Sequence, residues 1–224
     1  MPGVKGMRGI VLWCCFVVVA FLLHSPIASD ASDTTTAPEF VVVAATPALL
    51  EKLRSGGFVL YMRHGRTDPR QPDQVPIDLE DCATQRPLTD QGRAGITAVG
   101  AAVRAAGLPV GEVLASPLCR ARESALLAYG PDFQVENLLM YTAHLTSEQK
   151  APVVAKTREL ISTPVSEPGF NRMLVAHAPN LADLMGYFPE VEGTVVVFRP
   201  LGNGEYEYLA SILPGDWDGL LEKE

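Results

Sequence analysis

Two short runs, Phe58 to Met62 and Met173 to Ala176, are apolar from end to end instead of alternating with polar residues. A strand with one wet face reads apolar and polar by turns, so a wholly apolar strand has to be covered on both sides. Helical stretches separate these runs. Pro47 to Arg54 is opened by Thr46 as N-cap, with Pro47 in the first position, and is stopped by Gly56-Gly57. Thr89 to Ala106 places Ile96, Val99 and Val103 at helical spacing and ends at Gly107. Pro117 to Tyr129, Ser147 to Ile161 (with Pro152 limiting its first turn) and Pro179 to Tyr187 read as further helices. Val113 to Ala115 is a short strand, and Val195 to Arg199 pairs with Tyr206 to Ile212 through a Gly202-Asn203-Gly204 hairpin. The pattern predicts an α/β fold: a three-layer sandwich whose central sheet is mostly parallel, with helices on both faces and one antiparallel edge strand from the closing hairpin.

The beginning of the chain follows another logic. Lys5 and Arg8 precede a 14-residue apolar run, Ile10 to Leu23, and then come Pro26 and the small residues Ala28, Ser29 and Ala31. A basic start, an apolar middle and a small-residue region make a secretory signal, and the run falls short of the roughly 20 residues of a bilayer span. Residues 1–29 therefore read as a signal peptide, with an uncleaved N-terminal anchor as the alternative. Ser29 and Ala31 both suit the position before a cut. Residues 30–39 read as a flexible polar linker, 40–217 as one domain and 218–224 as a tail. The domain is expected outside the cytoplasm, periplasmic or secreted, touching a membrane only through the N-terminal segment if that is retained.

Hydrophobic residues make up 47 % of the 224 and charged residues 20 %, with a net charge of −8. That is enough for a core, and it argues against a nucleic-acid partner, which needs a basic face. A small anionic partner is compatible, because a few convergent arginines bind one on an acidic protein. Loss of the signal removes Cys14 and Cys15 and leaves Cys82 and Cys119. An even pair in an oxidising compartment is a disulfide candidate, and two separate buried thiols are the alternative. Neither cysteine has a Cys or His at metal-ligand spacing, and no metal or other cofactor is expected.

Three polar segments each follow a predicted strand: Arg63-His64-Gly65, Ser116-Pro117-Leu118-Cys119-Arg120-Ala121, and His177-Ala178-Pro179-Asn180. Ligands of open parallel sheets bind beyond the carboxyl ends of the strands, so two histidines and two arginines are expected in one crevice. Guanidinium forks match phosphate oxygens, and neutral imidazole is a competent nucleophile toward phosphorus. Gly65 is read as letting the backbone approach a bound anion, and Pro117 as opening a helix whose free N–H groups face one. His24 falls in the signal region and His144 in a loop, so neither is given a role.

These segments resemble, in order, the motifs of the histidine phosphatase (phosphoglycerate mutase-like) superfamily. Arg63-His64-Gly65 resembles its opening signature, and Leu88-Thr89-Asp90-Gln91-Gly92-Arg93 its L-T-x-x-G helix start. Ser116 to Ala121 is similar to its S-P-L-x-R-A segment, and His177 to Leu181 to an H-x-P-x-L form of its second histidine motif. The resemblance implies a metal-independent phosphatase working through a phosphohistidine, and the expected export points to a phosphomonoester, another small phosphorylated molecule or a glycolipid as its substrate. His64 would be the phosphorylated nucleophile, Arg63 and Arg120 would bind phosphate, and His177 would donate to the transferring group. A non-catalytic phosphate-binding module and a phosphomutase remain the alternatives.

One departure matters. Mutase-branch members carry a glutamate that protonates the leaving group, and acid-phosphatase relatives carry an aspartate directly after the second histidine. Here Ala178 follows His177, and Glu136 lies in the right interval without the surrounding motif. Glu136 is a candidate acid, with a solvated residue on a strand as its alternative; Glu148 and Asp68 are weaker ones.

Overall fold

The computed structural model describes residues 39–222. The expected signal peptide, and the expected linker apart from Glu39, lie outside the described residues. In chain order the elements are α1 (Pro47–Leu53), β1 (Val59–Arg63), α2 (Asp90–Ala105), β2 (Val110–Ala115), α3 (Cys119–Tyr129), β3 (Gln134–Val135), α4 (Ser147–Ser162), β4 (Asn171–Ala176), α5 (Ala178–Met185), β5 (Val195–Gly202), β6 (Glu205–Ile212) and α6 (Trp217–Leu221). The six strands form one sheet in the order β3-β2-β4-β1-β5-β6. Neighbours from β3 to β1 are parallel, whereas β5 pairs antiparallel with both β1 and β6. The single strand running against the others is thus β5, one place in from the edge, and β6 closes the sheet antiparallel to it.

The apolar runs are explained by what covers them. Leu60 and Met62 of β1, with Met173 and Val175 of β4, face a core built on α1, α2, α3 and α6. Val59 and Tyr61, with Leu174 and Ala176, face the opposite core, against α4 and α5. Successive side chains of a strand point to opposite faces, so two cores require apolar residues at every position. The helix signals act as expected: Thr89 Oγ1 accepts from Gly92 N at 2.9 Å, and Thr146 with Gln149 closes a capping box at the start of α4. That helix continues through Pro152.

Several boundaries differ from the sequence reading, and two of them have a clear physical reason. Helix α3 begins at Cys119, not Pro117, because the strand is still pairing there: Ser116 N donates to Val175 O at 2.9 Å and Leu118 is extended at ψ 139°. The last helix runs across residue 217, where the domain was expected to end, and buries Trp217 and Leu220 in the core. The short strand β3 carried no sequence signal of its own. Among the described residues no helix is long and apolar enough to cross a membrane.

Candidate active site

The sheet order assembles the site. Strands β2, β4 and β1 are adjacent and parallel at the centre, with Arg63 paired to Ala176 and Ala115 to Val175. The next residue of each strand therefore emerges at the same edge: His64, His177 and Ser116. His64 is held from both sides, its N–H donating to Ala176 O at 3.0 Å and its carbonyl accepting from Gly193 N at 3.2 Å. The two imidazoles are 2 % and 0 % exposed, with ring centroids 5.2 Å apart and edge to face.

Hydrogen bonds assign a task to each ring nitrogen. His64 Nδ1 lies 2.8 Å from the carbonyl oxygen of Gly65, which can only accept. Nδ1 therefore carries the proton of the neutral ring, and the lone pair sits on Nε2. In His177 the other nitrogen is the one engaged: Ser116 Oγ accepts from Leu118 N at 3.4 Å and lies 2.7 Å from His177 Nε2. Nδ1 of His177 is a buried atom with no hydrogen-bond partner among the described residues.

Three arginines surround the pair. Arg120 is wholly enclosed, packs over the Tyr141 ring at 5.1 Å, and donates from Nη1 to Asp73 Oδ1 at 2.8 Å. Arg63 donates from Nη1 to the carbonyls of Pro189 and Glu190 at 2.8 and 2.5 Å, and its Nη2 lies 3.6 Å from Glu192. Arg86 completes the set: its charge acts on both histidines and on both other arginines. Arg63 Nε, Arg86 Nε, and Nε and Nη2 of Arg120 are buried and have no partner among the described residues. Buried polar groups are normally satisfied, so donors left open around two histidines describe a site for an oxyanion.

The roof comes from two loops. Residues 66–88 are tied down by the Cys82–Cys119 disulfide, by Gln85 Oε1 accepting from Cys119 N at 2.8 Å, and by Asp73 accepting from Arg86 N at 2.8 Å. Tyr141 approaches His177 edge-on at 5.3 Å, its loop fastened to α5 where Asn180 Nδ2 donates to the carbonyls of Leu139 and Met140. A recess of about 170 Å³ beside these loops is lined by Asp73, Val75, Arg86, Tyr141 and His144.

The sequence-derived quartet of His64, Arg63, Arg120 and His177 is thus brought together, but other assignments change. Gly65 does not free the backbone for an anion. Its N–H is taken by Ser124 Oγ at 3.0 Å, and a Cβ there would come within 2.6 Å of Ile96, so the glycine is required by the packing of α2. The first N–H of α3, on Cys119, belongs to Gln85 and is not a phosphate donor. Glu136 caps a short turn by accepting from Leu138 N and faces Lys156 at 3.9 Å; its contacts include none of the quartet. Asp68 is occupied by Arg70 and Gln71, and Glu148 lies exposed in the first turn of α4. Arg86, Tyr141, Asp73 and Glu192 were missed. Arg86 stands directly before the Pro87-Leu88-Thr89 helix start, which is the one signal that would have drawn attention to it.

Electrostatics fix the protonation state. Burial, followed by the charge of Arg120, holds both imidazoles well below the usual histidine value of 6.5. Burial likewise lowers the pKa of Arg63 and Arg120. Both histidines are therefore neutral at neutral pH. In the unfolded chain they titrate at about 6.5, so below that pH the unfolded state binds protons that the folded state does not. Their contribution to stability is complete above pH 6.5 and declines as the pH falls beneath it. Differential scanning calorimetry is expected to show a midpoint that falls with acidification below about pH 6.5, and falls less in a His64→Ala/His177→Ala double variant. Equal falls in the two proteins would contradict the assignment.

Residues 59–139 match the histidine phosphatase superfamily (branch 1). Similar solved structures include the protein histidine phosphatase SixA complexed with tungstate, at 18 % identity over 71 % of this chain and 98 % of that one, with a TM-score of 0.47. A mycobacterial glucosyl-3-phosphoglycerate phosphatase complexed with VO3 is 20 % identical over 69 % of this chain and 98 % of its own, with a TM-score of 0.48. No curated protein matches the chain.

Proposed function

We propose that this chain, which belongs to the histidine phosphatase superfamily, is an exported phosphatase that hydrolyses a small phosphorylated molecule through a phosphohistidine at His64. The observation that carries the reading is the pairing of a lone pair on His64 Nε2 with buried nitrogens of Arg63, Arg86, Arg120 and His177 that have no partner among the described residues. In the first step Nε2 attacks phosphorus, a P–N bond forms, and the P–O bond to the leaving group breaks. In the second, water attacks the same phosphorus, the P–N bond breaks and inorganic phosphate leaves. The three guanidinium groups neutralise the equatorial oxygens in both steps, and His177 Nδ1–H adds a neutral donor. This is the charge stabilisation that a magnesium ion gives in other phosphoryl transfers.

The carboxylates of Asp73 and Glu192, which lie beside the pocket, are engaged by arginines. A leaving group that needs little protonation is therefore favoured over a simple alkyl ester. Export rests on the basic, apolar and small-residue order of residues 1–29, and the Cys82–Cys119 bridge is compatible with it.

A panel assay of the domain tests the reading. With a metal chelator present throughout, para-nitrophenyl phosphate and an acyl phosphate are expected to release inorganic phosphate faster than sugar phosphates do. Transfer to a second metabolite without net release would make the chain a mutase. Oxyanion binding with no turnover on any substrate would make it a binding module, and dependence on a metal would overturn the proposed charge balance.

A further inference from the structure

The roof loop reaches into the site at one place, and what it does there is specific. Asp73, 4 % exposed at its side chain, accepts from Arg120 Nη1 at 2.8 Å and, through the same Oδ1, from the backbone N–H of Arg86 at 2.8 Å. Nε–H and the neighbouring Nη2–H of a guanidinium point in parallel from one edge, the edge that grips two oxygens of an oxyanion at once. In Arg120 these are the two nitrogens with no partner among the described residues, while the third is spent on Asp73. A guanidinium on a four-bond stem has several orientations available, and a fixed carboxylate contact selects one of them.

We propose that Asp73 is a positioning residue for the phosphate site: by occupying Nη1 it turns the Nε–Nη2 edge of Arg120 toward the anion. The inference rests on the oxyanion-site reading above and extends it to a loop that carries no recognised motif. The Cys82–Cys119 bridge belongs to the same device. Cys119 precedes Arg120, and Cys82 anchors the loop that delivers Asp73, so one covalent tie fixes the backbone of the arginine against the backbone of its partner. The opposite role is also physically possible. A carboxylate on a phosphate-binding arginine could act as a competitor that the anion must displace. The two roles predict opposite signs.

Calorimetric titration with inorganic phosphate, and with tungstate as a second probe, separates them on the folded protein without requiring turnover. Asp73→Ala is expected to weaken binding by about 10- to 30-fold, and Asp73→Asn, which keeps an acceptor in place, by about two- to five-fold. In an Arg120→Ala background, adding Asp73→Ala is expected to change affinity by less than about two-fold, since its effect passes through that guanidinium. Unchanged or tighter binding by Asp73→Ala overturns the proposal, as does an undiminished loss in the Arg120→Ala background. If Asp73→Ala does not fold, Asp73→Asn decides by the same sign. Failure of the wild-type protein to bind either anion overturns the oxyanion site and this proposal together; binding by the wild type with no loss in the variants overturns the proposal alone.

Discussion

Replacing His64 with alanine is expected to lower turnover by about ten-thousand-fold or more while the protein stays folded. The size follows from the division of labour in the site. In the proposed mechanism the arginines and His177 stabilise charge, and Nε2 of His64 offers the lone pair freed by a hydrogen bond on the opposite nitrogen. Without it, the remaining route is direct attack of water on the bound phosphate, which the same guanidinium groups would still assist. That route sets the residual rate. The fold should tolerate the change, because the backbone of His64 is fixed by Ala176 and Gly193 and the lost side-chain bond is to its own neighbour. A cost of about 1–3 kcal/mol is expected, typical of a buried truncation of modest size. Circular dichroism and a thermal scan check the fold; steady-state kinetics check the rate. Activity within about ten-fold of wild type in a folded variant would remove His64 from the mechanism.

Arg120 gives the second large effect, and here rate and stability should separate. Arg120→Ala is expected to lower kcat/KM by about 100- to 1000-fold, the loss typical of one preorganised donor at a charged transition state. It should also destabilise the fold by about 3–5 kcal/mol, because it strands the buried carboxylate of Asp73. Lysine in its place can still pair with Asp73, so Arg120→Lys is expected to recover most of the stability. It should recover little of the rate, because an ammonium cannot present two parallel N–H groups to one phosphate. Chemical denaturation and kinetics on the two variants check both halves. Near-normal rates in Arg120→Lys would show that charge suffices and that fork geometry does not matter.

Much of this was legible in the sequence because the central strands carry their environment in their composition. An apolar residue at every position from Val59 to Met62 of β1 and from Met173 to Ala176 of β4 states that both faces are buried there, and chemistry placed directly after such a run falls at the sheet edge. His64, His177 and Ser116 were therefore locatable from local pattern alone. Arg120 followed because it lies in the first turn of the helix that begins just beyond β2. The roof was not legible. Asp73, Arg86 and Tyr141 lie in segments without periodicity, and their positions depend on partners far along the chain: Asp73 on Arg120, the loop of Tyr141 on Asn180. Sequence order carries no record of those distances. Gly65 shows a different failure. A glycine beside a nucleophile suggested room for an anion, yet the room it provides is for Ile96 of α2. The cysteine pair was readable as an even count, and because Cys119 directly precedes Arg120 the sequence also placed the bridge beside that arginine, where the folded chain has it.

The central claim is a covalent bond between phosphorus and His64 Nε2, and the direct test is to trap it. Wild-type protein mixed with a phosphorylated substrate, quenched under alkaline conditions that spare phosphohistidine and digested without acid, should yield the peptide containing Arg63-His64-Gly65 heavier by one phosphoryl group. Fragmentation should place that group on His64, and His64→Ala should give no phosphopeptide. Substrate hydrolysis at the wild-type rate with no phosphate on His64 at any quench time, or phosphate on His177 instead, would contradict the account.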